Sequence, residues 1–476
     1  MIGDVMLRNL IRIPIIGVSC LLFIMATMLM QPAILSFAKG ASISLSLTYG
    51  PPTSSVQVSG LGFKGGESIA LIFDTTQVGT ATGSNTGSFS STIIVPATAL
   101  PGNHFVQARG ASSGFFAQST FLVQTNWVQS SFNRAHTSFN VFENVLNPTN
   151  ISGLVLDWRY STGRTIYSYP VVADGVVYVG CGYNPNGFCA LNATTGALLW
   201  SYPLFSASTP AVADGIVYIG SADRTLYALN ASTGALLWRY SAIDPESSPL
   251  VASGIVYIGS SFGRVHAING ITGKPLWSYS TGNRLPISSP VTTNGLIYFG
   301  SEDGNLYALH TSSGKFLWKY FTGSSNVSSP AVANGVVYFG SIDRRLYALN
   351  ASTGVLLWSY TTGNEIFSSP AVANNVVYIG SYDDTLYALN ASTGALLWSY
   401  TTGNSIHSSP AVANGVIYFG SLDDTLYALN ASTGALLWSY TTGGRIFSSP
   451  VVANGVVYFG SYDYYLYAFH LLGTSP

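Results

Sequence analysis

The chain is 476 residues long and carries 18 Lys and Arg against 19 Asp and Glu, a formal charge of −1. It has no basic stripe to gather phosphates, which excludes nucleic acid as an expected partner. With only 8% charged residues, its exposed surface must be largely Ser, Thr, Asn and Gly, a composition common in secreted and cell-wall proteins.

Residues 1–38 read as an export segment. Arg8 and Arg12 precede an uncharged run over 13–38 whose apolar heart is 13–30. A positive flank followed by an apolar core sends the rest of the chain out of the cytoplasm. Pro32 breaks the run, and Ser36-Phe37-Ala38 offers a small-x-small cleavage pattern before Lys39. The run is also long enough to span a bilayer. A cleaved signal peptide and a retained N-terminal anchor are therefore both open, with membrane contact expected through this segment alone. Either way the chain is extracytoplasmic, secreted or anchored to the cell membrane.

Residues 42–124 hold short alternating stretches such as Val56-Gln57-Val58 and His104-Phe105-Val106, punctuated by Gly65-Gly66 and Pro101-Gly102. Short strands without a helical period predict a small Ig-like β-sandwich, a spacer or a binding module. Residues 125–153 are polar and aperiodic and read as a linker.

From residue 154 onward a motif of about forty residues recurs. Its proline stands at Pro170, Pro210, Pro249, Pro290, Pro330, Pro370, Pro410 and Pro450. A fixed period of this size signals a repeat architecture. Each copy reads as four strands, as in Ala371-Val372-Ala373, Val377-Tyr378-Ile379, Leu386-Tyr387-Ala388-Leu389 and Leu397-Trp398-Ser399-Tyr400. The first hairpin is turned by Asp-Gly or Asn-Gly (Asp174-Gly175, Asn334-Gly335, Asn414-Gly415), a strong short-range hairpin signal. Four antiparallel strands per copy make a propeller blade.

An extra strand, Leu154-Val155-Leu156-Asp157-Trp158, precedes the first copy, and the last copy has no tryptophan strand. Pairing the two predicts an eight-bladed β-propeller over 154–476, closed by its N-terminal strand and left with no sheet edge.

The motif Tyr-Ala-Leu-Asn-x-x-Thr-Gly-x-x-x-Trp, as at 227–238 and 347–358, closely resembles the quinoprotein, or PQQ-like, β-propeller repeat. The resemblance covers roughly 154–469. It implies that Trp158, Trp200, Trp238, Trp277, Trp318, Trp358, Trp398 and Trp438 dock between neighbouring blades. Dehydrogenases of the family hold pyrroloquinoline quinone over the axis with calcium, an aspartate base and, in many, adjacent cysteines, on long insertions between blades. Here the proline spacings stay between 39 and 41, with no adjacent cysteine pair and no haem Cys-x-x-Cys-His. Short, even blades are similar to those of the family's non-catalytic scaffolds, so no catalytic, cofactor or metal residues are expected. Quinone and calcium belong to an alternative, a dehydrogenase with a reduced site.

Near-identical copies point the same way: 390–403 recurs residue for residue as 430–443. A catalytic site needs different groups converging on one point. The turn aspartates Asp223, Asp303, Asp343, Asp383, Asp423 and Asp463 stand one per copy and read as residues bonding their own turns. Asn192, Asn230, Asn350, Asn390 and Asn430 read the same way, although each opens a glycosylation sequon. His266, His310, His407 and His470 each replace a repeat residue.

Cys181 and Cys189 flank an enlarged hairpin in the first copy and read as a disulfide worth about 2–3 kcal/mol. What varies between copies is the stretch from each tryptophan strand to the next proline. Arg164, Phe205, Glu246, Arg284, Glu365, His407 and Arg445 fall there and are the candidate partner-binding residues, since diversified loops on a constant frame build binding surfaces. The expected role is an exported envelope scaffold whose partner is an envelope protein or a cell-surface glycan. A glycan-binding surface protein is a further alternative.

Overall fold

The structure, a computed structural model, describes residues 40–473 except 183–186, 206–207, 242–246, 283–287 and 326–327. The export segment read at 1–38 lies outside the described residues. Within them no helix is long and apolar enough to cross a membrane.

Residues 42–123 form two packed sheets. One holds Ser42–Leu45, Ser55–Leu61 and Phe89–Ile94. The other runs Tyr49–Gly50, Phe116–Val123, Gly102–Gly110, Ser68–Phe73, Thr76–Thr82. Val56 and Val58 are buried while Gln57 between them is exposed, the period of a strand with one wet face. Val56, Ile69, Leu71, Val106 and Phe121 make the core between the sheets.

Eight sheets follow over 154–471, each built on four repeat strands, and Phe139–Asn140 adds a fifth, parallel strand beside Ala411–Ala413. In seven of them all four strands come from one copy in chain order, as in Ala371–Ala373, Val376–Gly380, Thr385–Asn390 and Leu396–Thr401. The eighth combines Val451–Ala453, Val456–Gly460 and Tyr465–Leu471 with Leu154–Ser161 as its outermost strand. In it Trp158 pairs with Ala468, just as Trp398 pairs with Ala388 inside its own copy. We number these blades 1 to 8 from Val171. Innermost strands of adjacent blades touch, and Val171–Ala173 of blade 1 meets Val451–Ala453 of blade 8, closing the ring.

One repeated clamp joins blade to blade. The Trp398 indole and the Tyr378 hydroxyl of blade 6 both donate to the Ala431 carbonyl of blade 7, at 3.1 and 2.9 Å. The same indole bond is made by Trp158, Trp200, Trp238, Trp277, Trp318 and Trp358. The acceptor sits in the Asn-x-x-Thr-Gly turn, whose glycine lets the ring lie flat upon it. At Gly394 (φ +72°) a Cβ would stand 2.7 Å from the Trp358 ring, so only glycine fits. Each clamp thus buries a large apolar ring and pairs its one polar atom.

Trp438 is the exception, because blade 8 takes its fourth strand from the N-terminus and lacks that turn. It packs instead against Phe469, with ring centroids 5.1 Å apart. The Tyr418 hydroxyl at the same junction is buried without a hydrogen-bond partner. Leu146 and Ile151 fill the space there.

A second device pins the turn between the second and third strands. Asp383 accepts hydrogen bonds from the Tyr387 hydroxyl (2.8 Å) and the Thr385 amide (3.1 Å). Asp223, Asp303, Asp343, Asp423 and Asp463 accept the equivalent tyrosine bond. Blade 1 has Cys189 in place of that tyrosine, disulfide-bonded to Cys181 with Cα atoms 5.8 Å apart.

Candidate functional site

Residues 125–153, read as a linker, do more than join the sandwich to the propeller: the first half enters the propeller from the side of the Asn-Gly turns and plugs the channel. Innermost strands of a propeller turn backbone N–H groups toward the axis, and here the plug supplies their acceptors. The amides of Val172, Val212, Thr292, Val332, Val372 and Val412 donate to the carbonyls of Trp127, Val128, Arg134, Ala135, Thr137 and Ser138 at 2.7 to 2.9 Å. In blade 3 the Val251 amide uses the Gln129 side chain, and in blade 8 the Asn140 amide donates to the Val452 carbonyl at 2.8 Å. All eight blades are therefore tied to one segment.

The plug is polar and nonetheless buried: Gln129, Ser130, Ser131, His136, Ser138, Asn140 and Glu143 are all nearly inaccessible. Burial holds the His136 imidazole down at about 4. Burial pushes the Glu143 carboxyl up, although it accepts the amides of Val145, Leu146 and Gly455.

Above the plug runs a belt of hydroxyls from the residues preceding each proline. The Ser289 hydroxyl accepts the Ser248 amide, and the pattern steps onward through Ser329, Ser369, Ser409 and Ser449 at 2.8 to 3.2 Å. Ser131, Ser138, Ser409 and Ser449 help line an axial cavity of about 10 Å³, room for about one water.

The described variable loops lie on the face opposite the plug's entry. The carbonyls of Phe205, Glu365 and Arg445 accept the amides of Ala222, Tyr382 and Tyr462, so these candidate positions share one slot anchored to a turn of the following blade. Arg164 lies over Gly182. Phe205 stands exposed at the junction of blades 1 and 2. Glu246 and Arg284 lie outside the described residues.

His407 belongs to an aromatic crescent. Phe367 stacks on His407 at 5.7 Å, His407 meets Phe447 at 5.1 Å, and Phe447 meets Tyr167 at 6.4 Å. Tyr382 and Tyr462 join from the turns, 4.6 Å from Phe367 and 4.5 Å from Phe447. Tyr167 is 64% exposed and the others are partly covered.

Burial keeps the His407 imidazole below its usual range, with a buried Nδ1 that has no hydrogen-bond partner. Burial and the nearby Glu365 raise the Tyr382 phenol. Burial and a hydrogen bond to Tyr167 raise Tyr462, opposed by Arg445. Tyr382 and Tyr462 were missed from sequence. Their signal was the residue after Gly-Ser in that turn, which changes from Ala222 to Glu302, Ile342, Tyr382, Leu422 and Tyr462 between copies.

Plug residues occupy the channel, the cavity beside them has space for a single water, and among the described residues no three His, Cys, Asp or Glu side chains come together.

A family model described as the β-propeller of beta-alanine-activating enzyme matches residues 246–475, and one described as outer membrane protein assembly factor BamB matches 149–290. The repeats are those of the PQQ-like β-propeller family. Solved structures with this fold include a europium-containing methanol dehydrogenase, 17% identical, covering 73% of this chain and 98% of its own, with a TM-score of 0.63. A quinohemoprotein alcohol dehydrogenase from Comamonas testosteroni is 16% identical over 74% of this chain and 81% of its own, with a TM-score of 0.62. BamB from Moraxella catarrhalis is 20% identical over 67% and 99%, with a TM-score of 0.57. At such identities the likeness is one of fold. No curated protein matches the chain.

Proposed function

We propose that this PQQ-like propeller is exported and acts at the cell envelope as a non-catalytic binding or assembly scaffold. The observation that carries the reading is the plug, which occupies the channel with main chain and buried polar side chains of residues 127–140. The likeness to an outer membrane assembly factor supports an envelope setting. The export segment at 1–38 supports it independently. Binding falls to the loop face, where the crescent and the variable positions Arg164, Phe205, Glu365, His407 and Arg445 gather, with Glu246 and Arg284 assigned there by sequence.

The test uses the chain without residues 1–38, mixed with pyrroloquinoline quinone and calcium. No saturable absorbance change and no alcohol-dependent dye reduction are expected, and either one would overturn the non-catalytic reading. A photocrosslinker at position 445 of the exported protein should capture an envelope component. Failure to capture any would overturn the scaffold reading.

A further inference from the structure

Among the described residues, the mouth of the channel carries a run of aromatic rings. The residue two positions before the Ser/Thr/Tyr-Pro pair is aromatic at four consecutive junctions, Phe367, His407, Phe447 and Tyr167. At the other four the sequence has Ala207, Glu246, Ile287 and Val327, which lie outside the described residues. Ring closure sets Tyr167 beside Phe447, and the turn residues Tyr382 and Tyr462 thicken the arc. The result is one continuous half-ring of six rings spanning blades 5 to 1.

Its surroundings are hydroxyls and amides. Ser405 and Asn364 both reach the Tyr382 carbonyl, at 3.1 and 3.3 Å. Exposed aliphatic side chains lie elsewhere: Leu198, Leu236, Leu396 and Leu436 project from the outermost strands near their opposite ends. The core of a protein-binding patch is also rich in aromatic residues but is depleted of serine and acidic side chains. Rings with wet edges, set among small polar groups, suit a ligand that is apolar on its flat faces and hydroxylated at its rim.

We propose that this crescent binds a carbohydrate chain, with one sugar face laid against the exposed Tyr167 ring, its neighbours along the partly covered edges of Phe447, His407 and Phe367, and their hydroxyls met by the Tyr382 and Tyr462 phenols. Arg445 beside Tyr462 and Glu365 beside Tyr382 give the arc a cationic and an anionic end, which orients the chain. This assignment rests on the scaffold reading and names its ligand class.

The test is titration of the chain lacking residues 1–38 with chitohexaose, cellohexaose, xylohexaose and mannohexaose, together with sedimentation on purified cell-wall polysaccharide. At least one probe should bind, and Tyr167→Ala should weaken it at least tenfold without lowering the melting temperature, because that ring is largely exposed. Phe447→Ala should do the same and Phe447→Tyr should restore binding. Phe116→Ala, an exposed ring on the sandwich, should change nothing.

Binding that Tyr167→Ala leaves intact would overturn the crescent as the site. If no sugar binds but a crosslinker at 445 captures an envelope protein, the carbohydrate assignment falls and the scaffold stands. If neither occurs, both fall.

Discussion

The Trp158 indole donates a hydrogen bond to the Ala193 carbonyl at 3.0 Å. That bond joins the first strand of the propeller, sitting in blade 8, to the turn of blade 1. The Tyr458 hydroxyl reaches the same carbonyl at 3.3 Å, so both chain ends of the repeat region converge on one acceptor. Trp158→Ala therefore removes a ring at the seam rather than at one of the six other junctions that carry the same clamp. It should cost about 3–5 kcal/mol, read as a lower urea midpoint. A variant that melts like the parent would show that the ring is sealed elsewhere.

The plug predicts a hydrogen-exchange pattern. The amides of Val172, Val212, Thr292, Val332, Val372 and Val412 have acceptors only because residues 127–138 occupy the axis. They should exchange as slowly as mid-sheet amides. Asn140→Ala removes a fully buried side chain that bonds the Val452 carbonyl and accepts the Phe142 amide. The loss should be about 1–3 kcal/mol, with exchange accelerating first at those inner amides.

His136 gives a pH signature. Its pKa is held at about 4 by burial against 6.5 when exposed. Between those values the unfolded chain binds a proton that the folded chain does not, so stability falls as pH drops from about 6.5 to 4, by on the order of 3 kcal/mol. His266, at about 4 through burial and then Arg264, acts in the same direction. Glu143, raised by burial, acts in the opposite one, costing stability as pH rises above 4.5. The difference between parent and His136→Gln isolates the histidine. The variant should lose less stability on acidification, and parallel pH profiles would refute the assignment.

The sandwich contains a second acid-sensitive lock, built on a carboxylate. Burial pushes the Glu67 carboxyl up, but the Ser113 hydroxyl, the Lys64 and Ser113 amides and the Ser112 hydroxyl together bring it down to about 2. Its hydrogen bonds stabilise the fold above pH 4.5 and are lost as pH falls toward 2. Glu67→Gln should blunt unfolding of the sandwich in that lower window, followed by the loss of its loop contacts in NMR spectra.

Cys181 and Cys189 close the enlarged hairpin of blade 1 where other blades rely on an Asp–Tyr hydrogen bond. The chain without residues 1–38 should show no free thiol when denatured unreduced, and two after reduction. Reduction should cost about 2–3 kcal/mol.

The sequence alone determined the repeat, its strand order and the pairing of Leu154–Ser161 with the last copy. These are written in side chains: a proline at each copy's start, Asn-Gly at its hairpin, glycine beneath each tryptophan, and a Trp158 that heads a series whose last copy has none. Periodic burial demands periodic residues, so such a pattern survives reading in one dimension.

The plug left no such trace, because backbone carbonyls hold it to the blades and every residue has one. Polar, aperiodic chain looks the same from 125 onward whether it crosses solvent or fills a channel. The crescent was decided by closure. Tyr167 and Phe447 stand at opposite ends of the repeat region and become neighbours only when the ring joins blade 8 to blade 1. Tertiary structure alone made a half-ring of aromatic residues from positions that the sequence presents as scattered exceptions to a repeat.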